Sequence, residues 1–289
     1  PSQTIIGTAS LGRRRMVWHG QEVRAGVLVD LAVLPEHRSL GPALILQQGL
    51  MEAASRDMGL LYGFPNRKAT AVFRRIGYEQ LTEIVRYVRV VRHAPYLQRR
   101  IPTWLAQPLG LAVDLACWLR EAFRGSTGPR LHGHWSSKAD ARMDALWSKS
   151  EKGRGLVAIR DSQHAHWRFD ASPLASTRYF FLTLPGSDAL VAWFATQTEG
   201  ETVHISDFWS IDGVNGMARP CLVALLAAAR SAGHASVSVE IAAMPSHVLE
   251  WQKNGFTERS RRPVFGRWNI AQAAGTSAEL FLTSADEDE

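Results

Sequence analysis

Arg38, Gly41 and Ala43 stand in the order Arg-x-x-Gly-x-Ala, between an apolar run that stops at Pro35 and a helical pattern that begins at Gly41. A helix N-terminus offers backbone N–H groups without helical partners and carries partial positive charge; together these attract phosphate. Gly41 lets the main chain approach a ligand closely, and Ala43 keeps the following position small. Arg38 adds a fixed cation suited to phosphate oxygens. Pro42 has no N–H, so the cradle loses one donor. This spacing is suited to holding a diphosphate. Nearby, Asp30 interrupts an otherwise apolar run, where a buried carboxylate is costly without a partner or a role. It is read either as a proton acceptor or as a rim carboxylate bonded to backbone.

The elements that must position these residues follow from periodicity. Residues 23–34, rich in Val and Leu, read as a buried strand. Residues 41–58 repeat apolar positions at helical spacing, through Leu44, Ile45, Leu50 and Met51, and Gly59 stops them. A short strand at 60–64, a helix at 67–76 capped by Asn66 and closed by Gly77, and a strand at 81–92 complete a first pattern. A second pattern, from about 136, has a helix at 138–149, strands at 179–184, 189–198 and 202–209, a helix at 217–232, a strand at 236–241 and a short helix at 247–253. RRIGYEQL (74–81) and WQKNGFTE (251–258) hold the same place in the two patterns and read as a weak internal repeat. The expected fold class is α/β with a mixed sheet, in tandem lobes at 1–92 and 136–270, with a partly helical linker at 93–135 and a tail at 271–289. The apolar stretch 101–119 holds Pro102, Pro108 and Asp114; it reads as a connecting helix packed on a domain, with peripheral membrane contact as the other reading.

Composition narrows the function classes. With 46% hydrophobic and 21% charged residues the chain is globular rather than disordered. Cys117 and Cys221 are far apart, which argues against a disulfide scaffold and for a reducing, cytoplasmic compartment, and no signal peptide is visible at Pro1. A net charge of +6 favours anionic partners. The Arg13-Arg14-Arg15 group reads as a solvated face rather than a nucleic-acid patch, and Asp286–Glu289 as a frayed end. No Walker loop, G-x-S-x-G, H-E-x-x-H or Cys-x-x-Cys motif is present, so neither a metal nor nucleic acid is expected as a partner.

Arg38-Ser39-Leu40-Gly41-Pro42-Ala43, following a strand and opening a helix, resembles the Arg/Gln-x-x-Gly-x-Gly/Ala signature of the GNAT acyltransferases. Gly77-Tyr78 resembles that family's Gly-Phe/Tyr ending, and residues 4–90 match the central and C-terminal parts of its fold. The resemblance implies an acyl-coenzyme A, acetyl-CoA foremost, as co-substrate, held by Leu31, Ala32, Val33, Arg38, Ser39, Leu40, Gly41, Ala43 and Asn66. It implies N- or O-acyl transfer to a small-molecule or saccharide acceptor; a non-catalytic coenzyme A- or nucleotide-binding protein is the alternative. Many members use a Tyr as general acid where this chain has Phe73 and, in the second pattern, Trp251. His166-Trp167-Arg168-Phe169, with Pro173 and Tyr179, resembles a stretch of two-lobed bacterial members. The second pattern has only Gly213 and Gly216 in place of a phosphate loop, so one cofactor per chain is expected. Trp167, Arg168, His204, Asp207 and Trp209 are candidates for the acceptor site, because aromatic faces, a guanidinium, an imidazole and a carboxylate suit a polar acceptor. The other reading places Trp167 in a lobe junction and gives His204 a structural role.

Overall fold

The computed structural model describes residues 4–38, 40–123, 128–270 and 279–287. The chain begins with an antiparallel hairpin of β1 (Gly7–Trp18) and β2 (Gln21–Val33). Its two-residue turn, His19-Gly20, has positive φ at both positions (50° and 76°), and such turns match the natural twist of paired strands. α1 (Leu40–Ala54), β3 (Leu60–Gly63), α2 (Thr70–Arg75) and β4 (Glu79–Val90) follow. Next come α3 (Ala94–Leu97), the long α4 (Thr103–Phe123), β5 (His132–Ser136), α5 (Arg142–Lys149) and β6 (Leu156–Ala158). α6 (Ser162–Ala165) runs directly into a π-helical turn, His166–Asp170. The remainder is β7 (Arg178–Thr183), β8 (Leu190–Glu199), β9 (Thr202–Ser210), α7 (Arg219–Ser231), β10 (Ser236–Ala242), α8 (Pro245–Lys253), β11 (Thr257–Trp268) and β12 (Leu280–Thr283).

All these strands belong to one mixed sheet, ordered β12-β6-β1-β2-β3-β11-β4-β10-β9-β8-β7-β5. β11, from the second pattern, lies between β3 and β4 of the first and is antiparallel to both. β4 in turn lies between β11 and β10, antiparallel to both. Each half therefore supplies the strand that fills a gap in the other, and the sheet is shared between 1–92 and 136–270 rather than divided. The weak repeat sits at this exchange: α2 and α8 both close on a left-handed glycine, Gly77 (φ 84°) and Gly255 (φ 82°), and each leads into an exchanged strand.

The last strand closes the sheet on itself. β12 pairs in parallel with β6 and antiparallel with β10, making a ring of β12, β6, β1, β2, β3, β11, β4 and β10. One apolar cluster draws a residue from every strand of the ring, among them Met16, Val27, Leu60, Ile84, Val264 and Leu282, so it fills the interior. The alternate residues Leu28, Leu61 and Phe265 face outward and are covered by α1 and α2 through Ala54, Phe73 and Ile76. A second, aromatic core lies between β7–β10 and α5, α7 and α8, and β4 reaches it through Tyr87.

α4 is clamped at two points. A Cβ on Gly110 would lie 2.6 Å from the Ala94 backbone, so only glycine permits this approach of α3 and α4. Asp114, buried, accepts a hydrogen bond from the His93 backbone N–H (3.1 Å), pairs with the His93 ring at 2.6 Å and forms an ion pair with Arg230 of α7 at 3.4 Å.

Candidate active site

The first half contains an open groove. β2 and β3 run parallel and pair only at Ala25–Val27 with Leu60–Tyr62. Beyond Val27, β2 continues to Val33 with no strand on that edge among the described residues. The divergence coincides with a bulge, where the β1–β2 register shifts between Thr8↔Ala32 and Ser10↔Val29. Backbone polar groups along Leu31, Ala32 and Val33 thus border a gap between strands, where an extended ligand can take hydrogen bonds as a strand would. Asp30 sits in the bulge with φ 53°, a conformation that Asp and Asn adopt more readily than most residues. Its side chain is exposed. The burial cost that marked Asp30 as a proton acceptor therefore does not arise, and its residue type answers to the backbone.

The groove runs toward the N-terminus of α1. Residues 35–37 form one 3-10 turn, and the Arg38 Nε then donates to the Val33 carbonyl at 3.0 Å. That bond ties the guanidinium to the end of β2, two residues before α1 begins with Leu40, Gly41, Pro42 and Ala43; its remaining nitrogens carry no partner among the described residues. Ser39 lies outside the described residues. Asn66 acts as a cap: its Oδ1 accepts from the Lys68 and Ala69 backbone N–H groups at 3.0 and 2.9 Å, and the regular helix starts at Thr70.

Neither position where the tyrosine acid is expected carries a hydroxyl. Phe73 is buried against Tyr78 and Phe265, and Trp251 is buried among Phe194, Phe208 and Phe256. The Tyr78 hydroxyl is itself buried without a hydrogen-bond partner, and burial raises its pKa. Tyr78→Phe removes an unsatisfied polar group and keeps the ring. We expect the variant to keep or gain up to about 1 kcal/mol of stability with turnover unchanged. Thermal unfolding and initial rates check this; a folded but inactive variant would identify Tyr78 as the acid.

The second half has the equivalent splay, but it is filled. β9 and β10 pair only at Thr202–Ile205 with Ser236–Val239. β12 then takes the place of β9 beside β10, at Ile241↔Thr283 and Ala242↔Leu282. His204 spans the plug, with Nδ1 2.9 Å from the Ser238 hydroxyl and Nε2 3.0 Å from that of Ser284. Asp286, expected in a frayed end, is wholly buried. It forms part of a network that sequence reasoning missed. The Arg160 guanidinium donates to Asp207 Oδ1 and Asp286 Oδ2, both at 2.8 Å, and none of the three residues has exposed surface. Thr283 donates its hydroxyl to Asp207 and its N–H to Asp286, and the Tyr62 hydroxyl donates to the Asp286 carbonyl at 2.7 Å. Burial raises the Asp207 pKa above the usual carboxylate range and the neighbouring Asp286 adds to it, although Arg160 opposes.

The five acceptor candidates therefore separate. Asp207 and Trp209 do not face a cleft: both are fully buried, and the Trp209 Nε1 donates to the Ser150 hydroxyl at 2.7 Å. The β8–β9 register shifts between Ile205 and Asp207, and beyond this bulge both Phe208 and Trp209 belong to the aromatic core. Arg168 is occupied by tail carbonyls, those of Ala285 (3.1 Å) and Glu287 (2.9 Å). His204 is half-buried and lines a cavity of about 660 Å³ with Arg178, Glu240 and Ser284. Trp167 is the most open of the five, with half its surface exposed and the Arg14 guanidinium 5.0 Å above its ring.

Trp167 borders a cavity of about 430 Å³ between the β1–β2 hairpin and the π-helical turn, lined also by Arg13, Arg14, Arg24 and His164. Arg14 is buried here, against the reading of 13–15 as a solvated face, because Gly12, Arg14 and Met16 share the inward parity of β1. Arg15 is neutralised by Glu22 and Asp161, whereas Arg13 and Arg24 have no ion pair among the described residues. His164 is held neutral by burial, its pKa lowered to about 3, and its Nε2 has no partner. π-turns are frequent at functional sites, and a buried nitrogen without a partner among the described residues calls for one.

No protein-family profile and no curated protein matches the chain. Solved structures do. A probable N-acyltransferase of Enterococcus faecalis superposes with a TM-score of 0.61 at 12% identity, over 93% of this chain and 60% of its own. A GCN5-related N-acetyltransferase of Anabaena variabilis gives 0.60 at 13%, over 91% and 59%. The Saccharomyces cerevisiae N-myristoyltransferase with bound myristoyl-CoA gives 0.53 at 8%, over 91% and 67%. The chain has the fold of the GNAT acyltransferases. It spans about six tenths of the length of the two bacterial structures.

Proposed function

We propose that this chain is an acyl-coenzyme A-dependent acyltransferase that moves an acyl group, acetyl in the first instance, to an amine or hydroxyl of a small-molecule or saccharide acceptor. The observation that carries the reading is the contrast between two related grooves. The one between β2 and β3 is open and leads to Arg38 and the N-terminus of α1; the one between β9 and β10 is filled by the chain's own residues 280–286. In this reading α1 and Arg38 hold the diphosphate and the edge Leu31–Val33 pairs with the pantetheine arm. A backbone N–H of that edge polarises the thioester carbonyl as the acceptor attacks. The acceptor's proton leaves to solvent, and water protonates the departing thiolate in place of the missing tyrosine. The cavity beside Trp167 and His164 is the acceptor's place, and its unneutralised Arg13 and Arg24 favour an acceptor with an anionic group.

Calorimetry with coenzyme A tests the cofactor half of this reading. One molecule should bind per chain, and Arg38→Ala should weaken binding about tenfold, the loss of one charge-assisted contact. Two molecules per chain, or unchanged affinity in the variant, would overturn the assignment. The missing hydroxyl at Phe73 favours a second reading, a coenzyme A-binding protein without turnover. Acetyl-CoA consumption across a panel of amines and sugars, acidic ones included, separates the two.

A further inference from the structure

We propose that α4 seats this protein on the surface of an anionic lipid bilayer, independently of whether it transfers acyl groups. On an ordinary surface helix the apolar side faces the core and the polar side faces water. In α4 the order is reversed. Its inward positions are Ala106, Gly110 and Asp114, all buried. Its outward positions are Trp104, Leu105, Leu109, Leu111, Leu115 and Leu119, each between 41% and 73% exposed. Asp114 is the one charged residue between Thr103 and Leu119, and it is consumed by His93 and Arg230. The patch continues past the helix: Val223 of α7 is also exposed, and a cavity of about 820 Å³ separates it from Leu111 and Leu115.

A contiguous apolar face of this kind marks a binding surface. Charge selects the occupant. Arg99 and Arg100 are exposed in the turn that precedes α4, and between Thr103 and Leu119 the buried Asp114 is the one acidic residue. A tryptophan and basic residues at one end of a leucine face fit a helix lying in the headgroup layer, where the ring occupies the interface and the guanidinium groups meet lipid phosphates. The chain's net charge of +6 acts in the same direction. No helix among the described residues is long and apolar enough to cross a membrane, so the contact is with one face of the bilayer. The clamp at Gly110 and Asp114 holds α4 in place and keeps the leucines outward before any lipid is met.

The test is co-sedimentation of the whole chain with two kinds of vesicle, one of phosphatidylcholine alone and one with about a third phosphatidylglycerol. We expect clear binding to the anionic vesicles and little to the neutral ones. Leu111→Glu with Leu115→Glu, both at exposed positions, should abolish binding while the thermal transition stays in place. Arg99→Ala with Arg100→Ala should weaken binding to anionic vesicles about 30-fold, because two guanidinium groups no longer meet lipid phosphates, and leave neutral vesicles unaffected. Light scattering of the lipid-free chain provides the control. Absence of binding to anionic vesicles would overturn the proposal, as would binding that both double variants retain. A lipid-free dimer that Leu111→Glu converts to monomer would overturn it too, since the face would then belong to a second copy.

Discussion

Arg160→Leu is expected to remove about 3–5 kcal/mol of stability, a large share of what a folded protein of this size possesses. The guanidinium is the counter-charge shared by Asp207 and Asp286 in a site without water access. Its loss would leave two carboxyl groups facing each other with no compensation. Asp207→Asn should be far milder, because it removes one of the two buried carboxyl groups and leaves Arg160 paired with Asp286. The same residue fixes a pH dependence. A carboxyl whose pKa is higher folded than unfolded stabilises the fold fully below its unfolded value, and that contribution is lost as pH rises through the folded value. Wild-type stability should therefore decline from acid toward neutral pH through this group, and Asp207→Asn should remove that part of the slope. Urea unfolding of the three proteins across that range measures both effects. Parallel profiles for wild type and Asp207→Asn would show that folding does not raise the Asp207 pKa.

The second expected result concerns the halves. Residues 1–135 and residues 136–289, produced separately, should each lack a cooperative thermal transition, and mixing them should restore one. The reason is the exchange of β4 and β11. Without β11, β3 and β4 have no bridge between them, and the ring interior loses Val264. Without β4, β10 and β11 lose their shared neighbour, and the aromatic core loses Tyr87. Circular dichroism of each half and of the mixture decides; a half that melts cooperatively alone would make the exchange an embellishment of two independent units.

What could be read from the sequence was what is encoded locally. The stretch Val29–Leu46 carries its strand, turn and helix in adjacent residues, and each of those elements is present. The glycines that close α2 and α8 announced themselves in the same way. Pairings between distant residues left no such mark. Asp286 looks like one more acidic residue of a polar tail, and only the arrival of β12 beside β10 makes it a buried partner of Arg160. Arg14 is hidden by its neighbours, since a run of three arginines resembles a solvated face unless strand parity is applied. Parity could not have sorted Asp207 and Trp209 from His204, because a bulge between Ile205 and Asp207 interrupts the alternation, and a bulge is set by the partner strand. β1, β5, β6, β11 and β12 follow none of the patterns used in the sequence reading, and their place is set by pairing partners elsewhere in the chain.

The position of β11 also bears on how the protein is made. A ribosome adds about 5–20 residues per second, so roughly ten to thirty seconds separate the emergence of β4 from that of β11. Throughout that interval β3 and β4 are adjacent in the nascent chain but cannot be neighbours in the sheet, and both present bare edges. Such edges invite pairing with other chains. The sheet of the first half is therefore completed only once β11 has left the exit tunnel, well after β4.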